Sequence, residues 1–143
     1  MSSIIRIDYL GDLRTESVHI ESNHRITTDA PKDNNGLGRK FSPTDLVASA
    51  LGSCLLTIMG IVATRHNINM TGSRTEIRKY MLDKPRRISK IIVDIFMNTN
   101  ISKNEMNILK RAAAQCPVHR SLSSEIEILI NYKQCWDLNK NIL

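Results

Sequence analysis

Nineteen consecutive uncharged residues, 46–64 (LVASALGSCLLTIMGIVAT), constrain this chain more than any other feature. A run of that length is long enough to span a membrane. It opens, however, on Ser42-Pro43-Thr44-Asp45. Ser42 suits an N-cap, Pro43 suits the first helical position, and Asp45 stands three residues after the cap as the acid of a capping box. The run is diluted by Ser49, Gly52, Ser53, Thr57, Gly60 and Thr64, and no second span follows. Ser49, Ser53 and Thr57 recur every four residues, so they share one helix face, where another helix backbone can come close. The run is therefore read as a fully buried central helix rather than a membrane span.

The rest of the pattern surrounds that helix. Residues 3–9 and 13–20 alternate like strands around a Gly11-Asp12 turn signal, and a third short strand falls near 24–28. Residues 29–42, with Pro31 and Asn34-Asn35-Gly36, read as a loop. After the helix come a polar turn at 66–73, a strand at 74–81, a break at Pro85 and a strand at 89–98. Ser102-Lys103-Asn104-Glu105 is a second capping box, opening a helix through Gln115. Pro117 disfavours helical geometry at Cys116 and starts a short helix through Ser121. The last strand is 125–133. Without regular βαβ alternation, this order predicts an α+β fold with antiparallel sheet, in one domain over 1–143. A helix apolar nearly all round needs cover on every side, which one small sheet and one amphipathic helix do not supply. A two-fold partner covers the remainder, so a homodimer is expected.

Charge and cysteine usage narrow the function. The net charge is +6, from 20 Lys and Arg against 14 Asp and Glu. The basic residues read as spread along the chain, in short pairs such as Arg39-Lys40 and Arg86-Arg87, so no nucleic-acid partner is expected. The N-terminus lacks the basic, apolar and small-residue regions of a signal peptide, which predicts a cytoplasmic protein. Three cysteines without Cys-x-x-Cys spacing suit neither a disulfide scaffold nor structural zinc. Each is then an inert core residue or a reactive thiol. Cys54, mid-helix, fits either reading. Cys116 sits at a helix–Pro junction, where amides of a following helix can point at a thiolate and lower its pKa. Cys135 reads as structural. Cys54, Cys116 and His119 are soft donors for zinc or copper, but no fourth ligand with recognisable spacing accompanies them.

The segment FSPTDLVASALGSCLLTIMGIVA (41–63), taken with CPVHRSLS (116–123), resembles the OsmC/Ohr family of peroxide-reducing proteins, in its OsmC-like branch. TDAPKDNNGLGRKFSPTDL (28–46) is similar to that branch's Asp-Ala-Pro loop. The resemblance implies an intertwined homodimer whose antiparallel sheets wrap around long central helices. It also implies a thiol peroxidase for organic hydroperoxides, acting less well on hydrogen peroxide. By motif, Cys54 is the peroxidatic residue, and Cys116 resolves its sulfenic acid to a disulfide. No bound cofactor is implied; an external dithiol, a lipoylated protein in some relatives, resets the pair.

Cys54 lies too far into its helix to gain from the N-terminal dipole, and burial raises a thiol's pKa. A cation must therefore be brought to it. In the family an arginine from the loop before the helix does this, oriented by a carboxylate near the helix start. The corresponding residues are Arg39 and Asp45, with Arg14 and Arg25 as alternatives and His119 as a further donor. The pattern departs at Thr44, where typical members carry glutamate; Asp45 is one residue later and about 100° further round a helix. The competing reading is a dimer that binds a small ligand, with inert cysteines.

Overall fold

The structure, a computed structural model, describes residues 2–98 and 100–134. Its elements are β1 (Ile5–Gly11), β2 (Arg14–His19), β3 (His24–Asp29), α1 (Pro43–Arg65), β4 (Arg74–Asp83), β5 (Arg86–Met97), α2 (Lys103–Ala113), α3 (Pro117–Ser121) and β6 (Glu127–Gln134). This is the expected α+β order. The chain divides into two compact units, residues 1–47 and 48–143.

In the first unit, β1, β2 and β3 form an antiparallel sheet in that order. The tight β1–β2 turn needs positive φ, and Gly11 supplies it at 88° without a Cβ penalty. The capping box is made as expected: the Ser42 amide donates to Asp45 Oδ2 at 2.9 Å, and the Asp45 amide donates to Ser42 Oγ at 3.1 Å. Two of the first helical amides are thus satisfied, and α1 starts where its sequence signal lies.

In the second unit the sheet order is β4-β5-β6. β4 and β5 form an antiparallel hairpin, but β5 and β6 are parallel, which corrects the expectation of antiparallel sheet throughout. Between them the chain passes through α2 and α3, the kind of long crossover that a parallel pair requires. Pro85 sits in the turn between β4 and β5, so β5 begins at Arg86, before the expected 89. On one face Ile77, Val93 and Ile130 align in a row. Ile91, Val93, Ile95 and Met97 of β5 are fully buried, as are Leu51, Leu55 and Met59 of α1 and Leu109 of α2. α1 approaches this sheet at Gly52: a Cβ there would stand 2.3 Å from Ile77 Cδ1 and 2.9 Å from Thr75 Oγ1.

Within one chain α1 is buried along one side only, and the partner expected to cover the rest is outside a single chain. Its buried residues (Ala48, Leu51, Gly52, Leu55, Met59 and Ala63) follow a three-to-four spacing and form one stripe. Ser53, Thr57, Ile61 and Thr64 face outward. The hydroxyls there turn back on the helix: Thr57 donates to the Ser53 carbonyl at 2.8 Å and Thr64 to the Gly60 carbonyl at 2.9 Å. The uncovered side is therefore less polar than its composition suggests.

The other face of the second sheet is polar at one end. Asp94, only 6% exposed, accepts from Arg78 at 2.7 Å, Asn131 at 2.9 Å and Lys133 at 3.2 Å. Burial pushes its carboxyl pKa up, but the Asn131 and Lys133 hydrogen bonds and the Lys133 and Arg78 charges outweigh that and hold it below the ordinary value. Arg74 and Lys133 both lie over the Phe96 ring, at 4.3 and 5.4 Å from its centroid.

Candidate active site

Two cysteines from distant parts of the sequence meet in the second unit. Cys54 projects from the middle of α1 and is half-buried. Cys116 is fully buried at the corner between α2 and α3. That corner is local in origin. The Cys116 amide closes the end of α2 by donating to the Ala113 carbonyl at 3.0 Å. Pro117 cannot continue that helix and starts the next, leaving Cys116 as N-cap with φ −57° and ψ 116°. Its Sγ accepts from the His119 amide at 3.5 Å.

Cys54 lies near enough to Cys116 to act on its thiol, and both cysteines are free. Burial pushes the Cys116 thiol pKa up; the His119 amide opposes this, the nearby Cys54 sulfur adds to it, and the Val118 amide opposes it. The net direction is upward. The arrangement is one half-buried thiol near one enclosed thiol. Among the described residues no group of three or more His, Cys, Asp or Glu could hold a metal ion, so Cys54, Cys116 and His119 do not make the soft-donor site considered above. Cys135 lies outside the described residues.

The residues considered as supporting charges belong to the first unit. Arg39 donates its backbone amide to Asp29 Oδ2 at 3.1 Å, and its side chain is exposed. Arg14 pairs with Asp29 in a two-point clasp, Nε to Oδ1 at 2.7 Å and Nη2 to Oδ2 at 2.9 Å. Arg25 pairs with Glu16. Asp45 holds the helix cap with one carboxylate oxygen. Nine residues along a helix is about 900°, or two and a half turns, with a rise of roughly 13 Å. Asp45 and Cys54 therefore project from opposite sides of α1, a consequence of the acid standing at 45 rather than 44.

Sequence reasoning missed Asp29. It is 1% exposed, and its own amide donates to the Phe41 carbonyl at 3.1 Å. Together with the Arg39 contact, this pins both ends of the loop that leads to α1. The Arg14 hydrogen bond, chiefly, holds its carboxyl below the ordinary range; burial opposes this, while the Arg39 amide and the Arg14 and Lys40 charges add to it. Gly36 is needed in the same loop, because a Cβ there would fall 1.8 Å from the Ala30 carbonyl oxygen. An acid at the end of a strand carries no periodic signal, and only its pairing with Arg14 across β2 and β3 marks it.

Comparison with known proteins supplies the frame for this geometry. The sequence pattern of the OsmC-like protein family matches residues 34–131. A candidate osmotic stress induced and detoxification response protein from Psychrobacter arcticus is 41% identical, with a TM-score of 0.86 over 90% of this chain and 93% of that one. An OsmC-like protein from Mycoplasma pneumoniae is 18% identical, with a TM-score of 0.79 over 94% of this chain and 97% of its own. An organic hydroperoxide resistance protein from Legionella pneumophila, 13% identical, superposes with a TM-score of 0.74 over 93% and 97% of the two chains. The last two likenesses establish the fold alone. No curated protein matches the sequence.

Proposed function

The chain belongs to the OsmC-like family, and from that premise we propose that it is a thiol peroxidase that reduces organic hydroperoxides in defence against oxidative stress. The observation that supports the reading is that half-buried Cys54 and enclosed Cys116, 62 residues apart in sequence, lie close enough for one to act on the other. In the proposed reaction the Cys54 thiolate attacks one peroxide oxygen. The O–O bond breaks, the alkoxide leaves with a proton as alcohol, and Cys54 becomes a sulfenic acid. Cys116 then gives up its proton and attacks the Cys54 sulfur. An S–S bond forms and water leaves, which stops further oxidation of Cys54. An external dithiol reduces the disulfide, becoming a disulfide itself. Of the apolar neighbours of Cys54 on α1, Leu51 and Leu55 are fully buried, and part-exposed Ile58, one turn on, favours a lipophilic peroxide.

Arg39 is the proposed activating cation, with Arg14 as the alternative. Asp45 acts in this reading through the cap that fixes the chain entering α1. The protein is proposed to work in the cytoplasm as a homodimer, the second copy covering the side of α1 that one chain leaves open.

Mass spectrometry of the reduced protein before and after one equivalent of tert-butyl hydroperoxide tests the reading. The expected result is a stoichiometric Cys54–Cys116 disulfide, abolished by Cys54→Ser; in Cys116→Ser, Cys54 should instead overoxidise or form mixed disulfides. Thiols left unmodified after prolonged exposure would sink the peroxidase and favour a ligand-binding dimer with inert cysteines.

A further inference from the structure

Closing the cysteine pair requires Cys116 to lose a proton, and the fold makes that loss difficult. Cys116 is 0% exposed, and burial, the leading influence on its thiol, raises its pKa. A thiol becomes a strong nucleophile only once its proton has gone. Bulk water does not reach this side chain within the chain, so a protein group has to take the proton as Cys116 attacks.

The corner that holds Cys116 offers few candidates. Besides burial, the groups acting on the thiol are the His119 and Val118 amides and Cys54, none of them a carboxylate. On α3 the Arg120 guanidinium donates to Gln115 Oε1, and a guanidinium takes up no further proton. The Ser121 hydroxyl donates to the Pro117 carbonyl at 2.8 Å. His119 is the only residue of this helix whose side chain has a basic nitrogen able to take a proton.

His119 is also placed for the task. Cys116 is the N-cap, so His119 stands third in the helix, and the side chain at that position lies beside the cap residue. Its backbone amide already donates to Cys116 Sγ at 3.5 Å. Among the described residues, no hydrogen bond or ion pair engages its ring. His119 is half-buried where Cys116 is enclosed, so its ring has the access to solvent that the thiol lacks.

We infer that the His119 imidazole is the proton acceptor for Cys116 when the pair closes. As the Cys116 sulfur bonds to the Cys54 sulfur, a ring nitrogen takes the Cys116 proton and hands it to the hydroxide leaving Cys54, which departs as water. The earlier attack of Cys54 on the peroxide does not use His119. The inference rests on the peroxidase reading for its place in the reaction cycle, but closure of the pair can be followed with no peroxide present.

One equivalent of the aromatic disulfide DTNB, mixed by stopped flow with the reduced full chain carrying Cys135→Ser, tests it. Cys54 attacks first and releases one thionitrobenzoate; Cys116 then attacks the mixed disulfide, releasing a second and closing the pair. The first release should be unchanged by His119→Ala or His119→Gln. The second should slow at least about tenfold in both, with thermal unfolding midpoints unchanged. Added imidazole should restore the second release in His119→Ala and leave the chain with His119 unaffected. The inference is overturned by a second release that neither variant slows, by slowing that imidazole does not relieve, by equal slowing of the first release, or by no second release with His119 in place. Failure of the peroxidase reading shows itself separately, as thiols that tert-butyl hydroperoxide leaves unmodified while DTNB still closes the pair.

Discussion

At the scale of single residues, the two thiols differ in a way that chemistry can read. Cys54 is half-buried and Cys116 fully buried, so an alkylating agent reaches Cys54 first. The upward shift of the Cys116 pKa, caused first by burial, keeps that sulfur protonated at neutral pH. Iodoacetamide labelling followed by peptide mapping should find Cys54 modified well before Cys116 at pH 7, with Cys116 labelling rising only above the ordinary thiol value of about 8.5. Equal rates at pH 7 would remove the asymmetry. The linked stability has a definite sign. Because the folded-state value is raised, the contribution is full below the unfolded pKa and is lost as pH rises through the folded one. Neither burial nor this shift was legible in the sequence. Cys116-Pro117 did mark the junction, and the cap geometry follows from it; the enclosing side chains come from elsewhere in the chain.

At the scale of elements, α1 shows what a local signal does and does not carry. Both capping boxes were visible as Ser42…Asp45 and Ser102…Glu105, because a cap is a contact within four residues. The role of Gly52 was not visible, because its neighbours Ile77 and Thr75 lie on β4. Gly52→Val is expected to destabilise the fold by about 1–3 kcal/mol through overpacking, despite the better helix propensity of valine. Gly60→Ala, where an added Cβ meets nothing within 4 Å in the chain, should not destabilise the isolated chain. Chemical denaturation of both variants checks this; equal midpoints would mean α1 does not bear closely on the sheet. The parallel pairing of β5 and β6 belongs with Gly52. The order of elements permits several pairings, and α2 with α3 decides which end of the sheet β6 enters.

At the scale of the whole molecule, the uncovered side of α1 is the largest unfinished feature. The helix is 23 residues long and its most apolar 18-residue window has a mean hydropathy of 2.2, yet only a third of that window is buried within the chain. Ile61, 46% exposed on that side, is the natural probe. If a second copy covers α1, Ile61→Asp should shift the protein from dimer to monomer in sedimentation velocity, with a lower unfolding midpoint because the partner's stabilisation is lost. A wild-type protein that sediments as a monomer would end the dimer proposal.

The sequence by itself determined the elements, the caps and the family resemblance, because each rests on residues close together or on a contiguous pattern. Tertiary structure alone decided that Cys116 is enclosed near Cys54, that Asp29 clasps Arg14 and holds the Arg39 loop, and that β6 runs parallel to β5. Those three features depend on residues that the fold brings together across turns, strands and crossovers, and no periodicity in a linear sequence records such meetings.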